Sequence, residues 1–233
     1  MLYDTVLFEL EGVLADTQAS RRDALVRSLA DEGVVLTPTA YAERCAGLPV
    51  REAALAAAAT AGGRLDPTAV DLVALRAERY FAERVGKGVS LAPGARELLD
   101  DLAGRARLGI VTRASRREVE FVLSLAALDG VFECVLAAED VRSPKPSPEG
   151  YHRALERLAR RRAASPATTL ALEDGAPGIA AARARALRCV AVGTMPAHHA
   201  VQADAYLPSL AGQSLASLES LVMHGTQQVE GTR

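Results

Sequence analysis

The sequence predicts an α/β protein: a doubly wound, Rossmann-like parallel-sheet core with an all-helical cap inserted after its first strand. Three observations lead there. A single β-branched and aromatic run, YDTVLF at 3–8, opens the chain. Nothing strand-like then appears until residue 88, and beyond it helical segments alternate with short, continuously apolar runs (GIVT, CVLAA, TLAL, CVAV). Such alternation implies parallel strands joined by crossover helices, and continuous apolar runs imply strands covered on both faces.

In order, residues 3–8 read as the first strand, followed by the turn residue Gly12. Thr17 is placed to cap a helix with Leu25, Val26 and Leu29 on one face, closed by Gly33. Thr37-Pro38 opens a second helix that ends at Gly47, and residues 49–61 form a third, stopped by Gly62-Gly63. Asp66-Pro67 opens a fourth, with Val70, Val73, Leu75 and Tyr80 largely along one side. Helices are then expected at 93–102, 115–128, 148–162 and 177–186, each followed by a strand, at 108–112, 131–137, 169–172 and 189–192. The polar residues 224–233 are expected to fray. The predicted division is a core of residues 1–15 and 89–233 and a cap of residues 16–88. The joins near 14–17 and 86–92 read as hinges.

Composition narrows the function. The chain has 233 residues, with 27 Lys+Arg against 29 Asp+Glu, a net charge of −2 and no Trp. Near-neutral charge gives no case for wrapping nucleic acid or lying on an anionic membrane, and few aromatics leave little for base stacking. Asp4, Glu9 and Glu11 interrupt any secretory apolar region, and the longest apolar stretch, 53–61, is far short of the roughly 20 residues a membrane span needs. Cys45, Cys134 and Cys189 are too scattered for a disulfide framework and read as buried thiols in a reducing compartment. His198-His199, in an expected loop, lacks the further ligands of a metal site. The RLARRR run at 157–162 reads as a solvated helix face, and GAPGIAA lacks the GxGxxG spacing of a dinucleotide fingerprint.

In an open parallel sheet, ligands gather beyond the carboxyl ends of the strands. There the sequence places Glu9, Glu11 and Gly12 after the first strand, Thr112 after GIV, Lys145 in the loop after CVLAA, and Glu173-Asp174-Gly175 after TLAL. Four carboxylates, a hydroxyl and an ammonium on one edge suggest metal-assisted phosphoryl transfer. Hard carboxylate oxygens suit Mg²⁺, which binds through a few carboxylates together with substrate phosphate and water. A Thr hydroxyl, backbone N–H groups and a Lys ammonium would hold the remaining phosphate oxygens.

The same residues carry a family resemblance. FELEGVLADT is similar to the first motif of the haloacid dehalogenase superfamily, DxDGxxxD[ST]. IVTRAS resembles its Thr/Ser motif, SPKPSPEGY its lysine motif and LALEDGAPGIAAARA its acidic metal motif. The insertion resembles the small cap of the β-phosphoglucomutase and phosphoglycolate phosphatase branch. The resemblance implies that Glu9 stands for the nucleophilic Asp and Glu11 for the acid/base. Thr112 would bind the phosphoryl group and Lys145 would neutralise it. It implies Asp174 as a direct Mg²⁺ ligand, Glu173 as a ligand or its orienter, carboxylates Glu9 and Glu11 beside them, and the Leu10 or Glu11 carbonyl as an additional ligand. It also implies a Lys145-Pro146 bond that is often cis. Within ERCAGLPVREA, similar to the branch's substrate-selecting loop, Gly47 is the turn and Arg44 or Arg51 faces the cleft, while Arg113 is placed to contact substrate anion; solvated arginines are the competing reading for all three.

The departure from the pattern is that both first-motif aspartates are glutamates. Each adds one methylene, and misplacing a reacting group by about 1 Å can cost on the order of 100-fold in rate. Three readings follow: Glu9 as a longer nucleophile, a phosphate site working without covalent catalysis with Glu11 activating water, or a catalytically silent relative. The leading expectation is a Mg²⁺-dependent phosphatase for a small phosphorylated metabolite, cytoplasmic and a monomer or weak homodimer, without nucleic-acid or membrane partners. A β-phosphoglucomutase-like phosphomutase is the alternative enzyme.

Overall fold

The computed structural model describes residues 2–225. The expected fraying at 224–233 therefore falls almost wholly outside the described residues. The chain divides into two compact units, Met1–Asp16 with Ser90–Arg233, and Thr17–Val89.

The first unit is built on six parallel strands: β1 (Thr5–Phe8), β2 (Arg107–Val111), β3 (Cys134–Leu136), β4 (Thr169–Glu173), β5 (Arg188–Val192) and β6 (Ala205–Leu207). Their order is β3-β2-β1-β4-β5-β6, the doubly wound arrangement in which the chain reverses direction between β1 and β4. Register fixes what happens there. Phe8 pairs with Ile110 on one side and Leu172 on the other, so the residues just after β1 lie beside the ends of both β2 and β4. The Glu9 N–H continues the ladder to the Leu172 carbonyl at 2.9 Å, and the Thr112 N–H reaches the Leu136 carbonyl at 2.9 Å.

The helices, in chain order, are α1 (Gln18–Ala30), α2 (Pro38–Arg44), α3 (Val50–Thr60), α4 (Pro67–Val85), α5 (Ala95–Leu102), α6 (Arg116–Leu125), α7 (Glu149–Ala159), α8 (Ala176–Ala184), α9 (Ala197–Ala200) and α10 (Leu215–His224). On the sheet, α7 and α8 pack side by side, as do α5 and α10. Leu7, Val111, Leu136, Ala171 and Cys189 pack with Tyr151, Leu155 and Leu158 of α7 and Ile179 of α8 in one buried cluster. Gly94, ahead of α5, has a φ of +84°, and a Cβ there would lie 2.1 Å from the Leu210 backbone, so only glycine fits.

The second unit consists of α1 to α4, all helical as the sequence predicts, with Leu25, Leu29, Leu36, Ala53, Ala54, Ala57 and Val73 forming its core. The α3 contribution to this core is made by alanines, Ala53, Ala54, Ala57 and Ala58 all being buried. Thr37 and Asp66 cap α2 and α4 by accepting from the Ala40 and Ala69 N–H groups at 3.2 and 2.8 Å. Thr17 stands at the N-cap of α1 but makes no side-chain capping bond. Leu75 is 61% exposed rather than buried, because the core face of α4 runs through Val73, Ala77, Tyr80 and Phe81 instead.

Several other expectations are corrected. Short β6, α9 and the longer α10 were not anticipated, and His198 and His199 lie in α9 rather than a loop. Helix α7 ends at Ala159 rather than 162; the arginines at 157 and 160–162 are exposed, as a solvated face requires, and Arg157 also donates to Asp140 at 2.7 Å and to the Val135 carbonyl at 3.0 Å. All three cysteines are buried free thiols. Among the described residues no helix is long and apolar enough to cross a membrane.

Candidate active site

Strand pairing delivers Glu9, Thr112, Glu173 and Asp174 to one edge of the sheet, flanking the point where the winding reverses. Lys145 arrives from the loop after β3, through a cis Lys145-Pro146 bond. That loop is pinned at both ends. Asp140 accepts from the Ala137 N–H at 2.8 Å and from Arg116 and Arg157. Glu149, at the start of α7, accepts from the Arg142 and Ser143 N–H groups at 3.1 and 2.9 Å, and those bonds hold its carboxyl below the usual range.

The Lys145 ammonium is buried and donates to Glu9 Oε2 at 2.6 Å, Glu173 Oε1 at 2.5 Å and the Val111 carbonyl at 2.7 Å. An ammonium has three N–H donors, so protein groups use all of them. Burial alone would lower the Lys145 pKa, but the charges of Glu173 and Glu9 outweigh it and drive the value upward. For Glu9, burial pushes the carboxyl up. The Lys145 charge, with hydrogen bonds from Lys145, Thr112 and the Leu10 N–H, more than reverses that and holds it low.

Glu173, only 1% exposed, is held from three sides. Lys145 donates to it, the Tyr151 hydroxyl donates to the same Oε1, and its carboxylate lies so close to α8 that a Cβ on Gly178 would come within 1.9 Å of Oε2. Burial and the neighbouring Glu9 charge nonetheless raise its pKa despite Lys145. Burial also keeps the Tyr151 phenol well above its ordinary range, so it stays a donor. Tyr151, Gly178 and Asp140 escaped the sequence reading. Tyr151 fell inside the quoted lysine motif and Gly178 inside the acidic one, but neither shows its partner in one dimension.

Glu9, Glu173 and Asp174 offer carboxylate oxygens within 4.8 Å of one another. Asp174 is half-buried, and burial together with the charges of Glu9, Glu173 and Glu11 pushes its carboxyl well above the usual range. Four carboxylates against one ammonium leave a negative excess, and a set of hard oxygens fits a divalent cation such as Mg²⁺. Glu11 is half-buried next to this cluster, and its carboxylate is not one of the three that converge. The Leu10 carbonyl accepts from the Leu14 and Ala15 N–H groups at 3.0 and 2.9 Å, which uses both lone pairs and leaves the Glu11 carbonyl as the candidate additional ligand. Arg113, half-buried, follows Thr112 on this edge. Arg44 and Arg51 belong to the second unit, both exposed, with Arg51 paired to Asp71. His198 and His199 join no cluster of metal-ligating groups among the described residues.

The doubly wound sheet thus carries a lysine-bridged carboxylate cluster at its reversal point, an acidic site of an α/β protein. The chain belongs to the haloacid dehalogenase-like hydrolase family, which it matches over residues 6–192. Among curated relatives, Protein CbbY of Rhodobacter capsulatus is 31% identical over 200 residues, covering 79% of this chain and 83% of the relative. Validoxylamine A 7'-phosphate phosphatase of Streptomyces hygroscopicus subsp. limoneus is 29% identical, covering 90% and 95%. Among solved structures, CbbY from Rhodobacter sphaeroides in complex with phosphate superposes with a TM-score of 0.83 at 26% identity, covering 93% of this chain and 99% of that one. The β-phosphoglucomutase of Clostridium difficile, at 18% identity, shares the fold with a TM-score of 0.84 over 95% and 98%.

Proposed function

We propose that this protein is a Mg²⁺-dependent phosphatase acting on a small phosphorylated metabolite. The observation that carries the reading is Lys145 bridging Glu9 and Glu173 beside the Glu9–Glu173–Asp174 oxygen cluster. The relatives support the substrate class: one is a phosphatase for validoxylamine A 7'-phosphate, and a phosphate-bound structure exists for CbbY. Near-neutral charge supports a diffusible metabolite over nucleic acid or a membrane, and a cytoplasmic monomer or weak homodimer is the form we assign.

Mg²⁺, when held by Asp174 with Glu173, Glu9 and the Glu11 carbonyl, supplies the positive charge that lets a phosphate dianion enter a carboxylate-lined site. The chain's own groups do the rest. The Leu10 N–H, the Thr112 hydroxyl and Lys145 hold the phosphoryl oxygens. A Glu9 carboxylate oxygen forms a bond to phosphorus as the ester P–O bond breaks, and the leaving alkoxide takes a proton from the Glu11 carboxyl. Glu11, now a carboxylate, accepts a proton from water as that water attacks phosphorus. Inorganic phosphate leaves and the Glu9 carboxylate is restored.

Hydrolysis of a panel of phosphate esters, with and without Mg²⁺, tests the reading in wild type, Glu9→Asp and Glu9→Gln. Metal-dependent hydrolysis lost in Glu9→Gln is the expected result, and equal hydrolysis without divalent metal contradicts the metal assignment. A second reading, phosphate binding without turnover, is favoured by the engagement of both Glu9 carboxylate oxygens, one by the Leu10 N–H and one by Lys145, which holds the would-be nucleophile back. Silence in wild type with activity in Glu9→Asp would establish it.

A further inference from the structure

The geometry points to a second role for Glu9: its own carboxylate occupies the anion cradle, and a phosphate dianion binds only by displacing it. This rests on the reading of the edge as a phosphoryl site. The donors available for phosphate oxygens there are the Leu10 N–H, the Thr112 hydroxyl and the Lys145 ammonium. Glu9 already takes them. Its Oε1 accepts from the Leu10 N–H at 2.8 Å, its Oε2 accepts from Lys145 at 2.6 Å, and Thr112 helps keep it ionised. The carboxylate is buried, so these bonds are shielded from competing water.

The cause is chain length. A glutamate has one methylene more than an aspartate, and that slack lets the carboxylate fold back onto the N–H of the next residue. Lys145 has no spare N–H, because its third donor goes to the Val111 carbonyl and its second to Glu173. An incoming phosphate oxygen therefore replaces an existing acceptor. The departure of either carboxylate would relieve repulsion with the dianion, but Glu173 is also held by the Tyr151 hydroxyl and seated against Gly178, which leaves Glu9 as the one that yields. The internal carboxylate acts as a tethered competitor for phosphate, lowering affinity for phosphate and for phosphate esters alike.

Calorimetric titration with inorganic phosphate in saturating Mg²⁺ tests this in wild type, Glu9→Asp and Glu11→Gln, with circular dichroism confirming that each is folded. Glu9→Asp keeps the charge but removes the slack. It is expected to bind phosphate about tenfold more tightly than wild type, the scale of one charge-assisted hydrogen bond no longer broken. Glu11→Gln removes a negative charge while leaving Glu9 in the cradle, and should gain less. Equal or weaker binding by Glu9→Asp overturns the inference while leaving the phosphate site intact. Absence of phosphate binding in all three proteins overturns the phosphoryl-site reading and the inference with it. Should Glu9→Asp fail to fold, wild-type crystals soaked with phosphate decide. Glu9 turned away from the Leu10 N–H supports the inference, and phosphate bound with both Glu9 contacts unchanged overturns it.

Discussion

Glu9, just past β1, and Glu173, at the end of the neighbouring parallel strand β4, are two buried carboxylates held together by the single ammonium of Lys145, 2.6 Å from one and 2.5 Å from the other. Two like charges this close would repel strongly in a poorly solvated site. The lysine makes the pair tolerable, and its third bond, to the Val111 carbonyl, fixes it to the sheet.

Lys145→Met should therefore be severe. It leaves two buried carboxylates without their cation, and breaking such an arrangement costs about 3–5 kcal/mol. Urea denaturation in EDTA should show that loss, and Mg²⁺ should restore part of it. A change below about 1 kcal/mol would mean the pair is already neutral.

Gly178→Ala pits two effects against each other. In an ordinary helix the change stabilises by up to ~1 kcal/mol. Here the new Cβ would sit 1.9 Å from Glu173 Oε2, and overpacking of that kind costs about 1–3 kcal/mol. Net destabilisation in thermal or urea unfolding is expected, with Mg²⁺ binding weakened because Glu173 must move.

Tyr151→Phe removes the hydroxyl that donates to Glu173 while keeping the buried ring. Loss of one hydrogen bond to a buried charge costs about 1.5–3 kcal/mol. The carboxylate also loses an orienting contact, so Mg²⁺ affinity measured by calorimetry should fall. Unchanged metal affinity would confine Tyr151 to packing.

The metal-free protein should lose stability as pH rises from mildly acidic values. Asp174 and Glu173 have folded pKa values raised above their ordinary 3.8 and 4.5, so between those values and the raised ones the native state binds more protons than the unfolded state. Stability then falls with rising pH. Glu9, whose folded value is lowered, works oppositely, adding stability above its ordinary 4.5 that is lost as pH falls through the lowered value. Urea midpoints measured from pH 5 to pH 8 in EDTA should decline, and Asp174→Asn should flatten the decline. Mg²⁺ should do the same, since the cation replaces the proton.

Legibility followed physical range. Strand–helix alternation and apolar runs such as TLAL and CVAV carry their own signal, so the sheet and the edge holding Glu9, Thr112, Lys145 and Glu173 were readable from spacing alone. What depends on contacts distant in sequence was not. Arg157 looks like part of a charged run until Asp140 meets it from another segment, and Gly178 looks like helix composition until Glu173 lies against it. Leu75 is grouped with Val70, Val73 and Tyr80 in the sequence reading, yet it lies about 200° round the helix from Val73 and so faces out; the 3.6-residue period itself picks Ala77 for that face. Strand β6, three residues long, has too few positions to show alternation.

The most direct test is a crystal structure grown with Mn²⁺ and inorganic phosphate, using anomalous scattering to locate the metal. The account predicts one peak at coordination distance from Asp174, about 2.1 Å for the Mg²⁺ that Mn²⁺ replaces, with a phosphate oxygen completing its shell and the anion reaching Thr112 and Lys145. A metal peak away from Asp174, or a phosphate bound elsewhere on the molecule, would contradict it.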